Sequence, residues 1–217
     1  DGTYVVRIKP NPGNGLTLFG ASDPHSVPND SGPFDCRDNL TQVNSWGNWV
    51  TNWSHAFYEA SGLTTVSNTT PGSNPVNMRG MFYLAESFNS QIGSWDVSSV
   101  TDMEQMFDLA GSFNQPIGNW DVSSVENMDS MFAFTDSFNQ PIGNWDVSSV
   151  KDMEEMFEQA DAFNQDLTNW DVSSVTDMEE MFQDTDVFNG DLSGWRPSSV
   201  TNMFEMFNDA VSFNQPI

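Results

Sequence analysis

The chain has 217 residues and a formal net charge of −25, from 31 acidic and 6 basic side chains. Nucleic acids and anionic lipid headgroups are bound by clustered lysine and arginine, so this composition excludes both as partners. No apolar stretch approaches the roughly 20 residues of a membrane-spanning helix, and we expect no membrane insertion within this chain.

Residues 1–44 are rich in Pro, Gly, Asn and Asp, and we interpret them as an N-terminal cap region of short strands and loops. The segment from Tyr4 to Ile8 alternates β-branched residues and predicts a short strand. The single cysteine, Cys36, is either free or paired with another chain. Four N-x-S/T sequons near this end are possible glycosylation sites if the protein is secreted by a eukaryote. They are Asn29, Asn39, Asn52 and Asn68.

A repeat begins near residue 45 and continues to residue 217. Its first coils are degenerate and its last coil is truncated. From residue 78 onward the period is 25 residues without insertion or deletion, and it is clearest in one column of tryptophans, Trp95, Trp120, Trp145, Trp170 and Trp195. All 12 methionines fall in two further columns, 78–203 and 81–206, and phenylalanines fill two more. Their spacing indicates that the Trp, Met and Phe columns form the core.

Two different periods alternate within each repeat. Met128, Met131 and Phe132 follow the i, i+3, i+4 spacing of one helix face. Trp120 and Val122 alternate with polar residues as a short strand would. A strand and a helix within 25 residues match the leucine-rich repeat, whose coils share a continuous core when stacked. The sequence therefore predicts an α/β repeat solenoid, with one short parallel strand and one short helix in each coil.

An asparagine follows a core phenylalanine once in every repeat. Its side chain can bond to main-chain groups of a turn that a sheet leaves unpaired, so we predict a structural asparagine ladder. The members of this column are Asn89, Asn114, Asn139, Asn164, Asn189 and Asn214.

An aspartate follows the tryptophan in four successive repeats: Asp96, Asp121, Asp146 and Asp171. Two interpretations stay open for this row. Each carboxylate either caps a local turn or belongs to a ladder that faces a ligand or cations, for which Ca²⁺ would suit the oxygen ligands. No other cofactor is indicated, and the identity of any metal stays open.

Many further acids lie on the predicted helices. We interpret them as a solvated convex surface, with diffuse association of divalent cations as the alternative. They are Asp102, Glu104, Asp108, Asp152, Glu154, Glu155, Glu158, Asp177, Glu179 and Glu180.

The string from Phe138 to Val150, FNQPIGNWDVSSV, is followed by Asp152-Met153 and Met156-Phe157. This pattern resembles the repeat of 25–26 residues found in bacterial surface proteins of the BspA-like and DUF285 type, and the resemblance covers roughly residues 76–217. It implies an extracellular or cell-surface protein with a leucine-rich-repeat-like solenoid and a role in adhesion or surface architecture. It brings no catalytic residues.

Nothing in the sequence indicates an enzyme. The two histidines, His25 and His55, and Cys36 match no catalytic motif, and the acids follow the repeat, whereas a catalytic pair would break it. We predict a surface protein that presents its acidic face for adhesion or for a repetitive ligand, the partner being a surface polysaccharide or a protein. The alternative is a structural protein whose copies stack end to end into a filament, in a cation-dependent way.

Overall fold

The computed structural model describes residues 5–10, 16–21, 40–44, 52–72 and 74–216. Near the N-terminus, β1 (Val5–Pro10) pairs antiparallel with β2 (Leu16–Ala21). The predicted strand at Tyr4 to Ile8 is confirmed from Val5 onward, and Tyr4 lies outside the described residues, as does Cys36.

A second, parallel pair joins β3 (Gln42–Val43) to β4 (Thr65–Val66), with Gln42 opposite Thr65. Leu40 beside β3 is buried in the same core as the repeats. Parallel pairing between coils therefore reaches residue 42, on the N-terminal side of the boundary expected at residue 45.

Successive repeats stack on one another as coils of 25 residues. One residue in each coil forms a parallel β-bridge with its equivalent in the next coil. This column runs through Asn52, Asn77, Asp102, Asn127, Asp152, Asp177 and Asn202. The bridges fix the register of the stack, so equivalent side chains of neighbouring coils lie beside each other.

The segments predicted to be helices are chains of turns instead. In the coil from Met103 to Ala110, the N–H groups of residues 103, 105, 107 and 109 donate to carbonyls of the next coil at 2.8–3.0 Å. The N–H groups of residues 106, 108 and 110 donate three residues back. Gln105 and Leu109 have φ values of 56° and 58°, which no right-handed helix accommodates. The described residues contain no helix.

The segments predicted to be strands are also turns. Trp120 and Val122 are buried and Asp121 is exposed, as the alternation requires. The Trp120 N–H, however, donates to Ile117 O at 3.0 Å within its own coil, and the indole Nε1 donates to Ile92 O of the preceding coil at 3.2 Å. The predicted fold class, an α/β solenoid with a leucine-rich-repeat-like strand and helix in each coil, is therefore wrong.

The physical reason is that the i, i+3, i+4 spacing does not distinguish a helix from this chain of turns. An isolated helix of about ten residues is marginal in water. The turns instead let alternate N–H groups bond the next coil, and this repeats along the whole stack. Each left-handed residue costs roughly 1–2 kcal/mol, which the buried side chains and inter-coil bonds must offset.

The interior consists of continuous columns of aromatic and methionine side chains, as predicted. Phe107 stacks on Phe113 of its own coil at 4.0 Å between ring centroids and on Phe132 of the next coil at 5.7 Å. The Met and Phe columns are fully buried through Met181 and Phe182. In the last described coil Met203 is 43% exposed, whereas its equivalent Met178 one coil earlier is fully buried.

Candidate functional site: polar rows along the stack

The aspartate row is exposed and each of its members is held by the same local bonds. Oδ1 of Asp96 accepts from the backbone N–H of Ser98 at 3.1 Å and from its hydroxyl at 2.6 Å. Equivalent backbone bonds at 3.1–3.2 Å hold the other three members. The turn-capping interpretation thus describes the local geometry of Asp96, Asp121, Asp146 and Asp171.

These bonds also favour the charged form of three carboxylates in the row. They lower the pKa of Asp96, Asp121 and Asp171, because the serine hydroxyl and N–H donate to the ionised carboxylate. The neighbouring Asp96 charge opposes this effect on Asp121 only weakly. The row therefore presents exposed and oriented carboxylates, one per coil, and at Asp96, Asp121 and Asp171 the local bonds favour the ionised form.

The spacing of the row is set by the stack. Equivalent phenylalanine rings of neighbouring coils lie 5.5–5.7 Å apart from Phe82 to Phe207. The row stops at the coil of Trp195, where Arg196 takes the aspartate position and donates to the Trp195 carbonyl at 2.6 Å. A ligand bound along the row would meet four equivalent sites in succession.

The asparagine column makes a ladder between coils. Oδ1 of Asn114 accepts from the backbone N–H of Asn139 at 3.1 Å and from Nε2 of Gln140 at 2.7 Å. The backbone bond repeats at 2.8–3.1 Å from Asn89 to Asn214. The side chains of this column therefore serve the stack itself.

A second structural row was missed by the sequence reasoning. The residues of the parallel bridges also use their side chains, since Oδ1 of each accepts from the N–H two residues on at 2.8–3.1 Å. The available signal was an Asn or Asp directly before the methionine column in every coil, but Asp102, Asp152 and Asp177 were counted only as surface charges. This row therefore caps the turn segment of each coil.

The acids of the turn segments do not form a uniformly solvated surface. Asp108 and Glu158 are buried, so the prediction is wrong for both. Burial, reinforced by neighbouring carboxylates, raises the pKa of Asp108 and of Glu154 to about 7. Arg79 provides a cation at one edge, where its guanidinium lies 2.6 Å from the Glu104 carboxylate.

The other predicted sites have mixed positions. Asn52 and Asn68 are exposed, with the Asn52 side chain engaged in its turn, while Asn29 and Asn39 lie outside the described residues. Within residues 40–44, 52–72 and 74–216, no three His, Cys, Asp or Glu side chains are grouped so as to hold a metal ion. In the part of the chain that the structure describes, no helix is long and apolar enough to span a bilayer.

The fold and its rows define a repeat protein of stacked 25-residue coils. A family model described as "Mycoplasma protein of unknown function, DUF285" matches residues 51–164 and 135–217. The chain belongs to this family, and the resemblance predicted from the repeat is confirmed. A comparison with curated proteins finds no match.

Proposed function

We propose that this protein is a non-enzymatic, extracellular binding protein whose aspartate row engages a repetitive ligand at the cell surface. The ligand class that fits is a polymer with positive charge at regular intervals, such as an amino-sugar polysaccharide. The chemistry is a succession of ion pairs and hydrogen bonds, one per coil, without any bond being made or broken.

One observation carries this proposal. Asp96, Asp121, Asp146 and Asp171 are exposed, and the same serine contacts hold their carboxylates in every coil. A surface for one protein partner would carry varied side chains, whereas this row offers the same group four times. Ion pairs at such exposed sites contribute about 0.2–1 kcal/mol each, so useful affinity needs several of them together.

The row can be tested by removing its charge without removing its local bonds. A variant with Asp96→Asn, Asp121→Asn, Asp146→Asn and Asp171→Asn keeps a side-chain oxygen that accepts from each serine. We expect this variant to fold like the original chain and to bind oligomers of glucosamine at least about tenfold more weakly in isothermal titration calorimetry.

The matched control removes the same number of charges from another exposed column of the stack. It carries Glu86→Gln, Asp136→Asn, Asp161→Asn and Asp186→Asn, and we expect its affinity to stay within a few-fold of the original. Equal losses in both variants would reduce the binding to net charge and contradict a dedicated row. Filaments that form in calcium and dissolve in chelator, seen by negative-stain electron microscopy, would favour end-to-end assembly instead.

A further inference from the structure

Four acids of the turn segments, Asp108, Asp129, Glu155 and Glu158, form a cluster with few hydrogen-bond donors. Asp108 is only 6% exposed, and its Oδ1 is buried without a hydrogen-bond partner. A buried ionised oxygen without a donor is costly, and the cost is removed when the carboxyl group takes up a proton.

Two more carboxylates of the cluster compete for one hydroxyl. Ser130 is buried, and its Oγ lies 2.5 Å from Asp129 Oδ1 and 3.2 Å from Glu155 Oε2. A serine hydroxyl has a single proton to donate, so it cannot satisfy both carboxylates when both are ionised. A proton on either carboxyl group would let that group donate to Oγ and complete the arrangement.

The groups that face this cluster are mostly acidic. The carboxylates of Asp129, Glu155 and Glu158 in the following coils act on Asp108. Asp108 in turn acts on Tyr83 of the preceding coil. Asp129 also faces the carboxylate of Asp152 and the guanidinium of Arg79. Gln183 donates to Glu158 Oε1 at 3.2 Å. The cluster thus spans three coils, and repulsion between its carboxylates opposes the stacking of these coils.

We propose that Asp108, Asp129, Glu155 and Glu158 form a proton-binding site that works as a pH-sensitive latch between the coils. With protons bound, the cluster is neutral enough for the coils to pack closely. As the pH rises through neutrality the Asp108 proton passes to bulk water, and the added negative charge pushes the three coils apart. The latch is independent of the proposed ligand row.

The direction in which stability changes with pH follows from the burial of Asp108 among other carboxylates. Burial and the carboxylates of Glu155, Glu158 and Asp129 raise its pKa from the ordinary 3.8 to about 7. In the unfolded chain the same group ionises near pH 4. Between these values the folded protein holds a proton that the unfolded chain has lost, so stability falls as the pH rises across this window.

The test compares thermal unfolding at pH 5.5 and pH 8.0 for the full chain, Asp108→Asn and Asp136→Asn. Asparagine has the shape of the protonated acid and removes the titration, whereas Asp136 is an exposed acid outside the cluster. We expect the Tm of the full chain and of Asp136→Asn to fall between the two pH values. The fall should be smaller in Asp108→Asn by at least about 2–4 °C.

Equal falls in all three proteins would overturn the latch. A second measurement covers the case in which Asp108→Asn does not fold. Carbon-13 NMR of the aspartate carboxyl groups in the unmodified chain should show Asp108 titrating close to neutrality. Titration of Asp108 near pH 4 would overturn the proposal on its own.

Discussion

Replacing Phe132 with alanine is expected to lower the free energy of unfolding by about 3–5 kcal/mol. Phe132 is fully buried and stacks on Phe107, Phe138 and Phe157, with ring centroids 5.7, 4.0 and 5.7 Å away. Since these rings belong to three successive coils, the cavity would interrupt the aromatic column that joins them. Denaturation in guanidinium chloride, followed by tryptophan fluorescence, measures the loss.

The control for this substitution is Phe204→Ala. Phe204 is 56% exposed and lies in a column occupied by Arg79, Glu104 and other polar residues in earlier coils. Its replacement is expected to change stability by less than about 1 kcal/mol. Similar losses from both substitutions would contradict a core built from the phenylalanine columns.

Gly118→Ala is expected to lower the free energy of unfolding, although it adds only one methyl group. A Cβ atom at Gly118 would lie 2.3 Å from the carbonyl oxygen of Pro141 in the next coil. That oxygen belongs to the backbone and cannot rotate away, so the two coils must separate locally. Overpacking of this kind costs typically about 1–3 kcal/mol, and a backbone clash lies at the upper end of that range or beyond.

Gly111→Ala provides the matched comparison. A Cβ atom there would lie 3.4 Å from Oδ2 of Asp136, the end of an exposed side chain, and the backbone of Gly111 is not left-handed. Alanine also restricts the unfolded chain, so we expect no loss and a gain of up to about 1 kcal/mol. Equilibrium unfolding of the two variants side by side measures the difference. A Gly118→Ala variant as stable as Gly111→Ala would show that the coils are not in this close register.

The register and the core could be predicted from the sequence because they depend on side-chain type. Tryptophan, methionine and phenylalanine recur every 25 residues, and only stacking of successive coils buries all of them. The same reasoning placed Asn139 and its equivalents at a structural position. An asparagine side chain both donates and accepts hydrogen bonds, so at a turn inside a stack it is suited to bonding main-chain groups.

The backbone conformation could not be predicted in the same way. Gln105 and Leu109 adopt positive φ values although neither is glycine or asparagine, and no local signal marks them. Their conformation is imposed by hydrogen bonds to Asp129 and Ala133 in the next coil, contacts that are distant in sequence. The helix prediction relied on a local period, and the coil-to-coil contacts override it.

Burial of the acids was missed for a related reason. Asp108 stands in a column with Tyr83 and Ala133, so its column shows no consistent polarity from which its exposure could be read. The aspartate row after the tryptophans was easier to recognise from the sequence, because the aspartate recurs in four successive coils and each is followed two residues later by a serine.

The central claim is that the chain is a stack of interchangeable 25-residue coils. Deleting residues 126–150 joins Val125 to Lys151 and keeps every column in register, whereas deleting residues 126–137 shifts every later coil by about half a repeat. Circular dichroism with thermal unfolding of both products tests the claim most directly. The stack predicts a cooperatively folded protein after the first deletion and an unfolded or much less stable one after the second. Two equally stable products, or loss of folding after the first deletion, would contradict it.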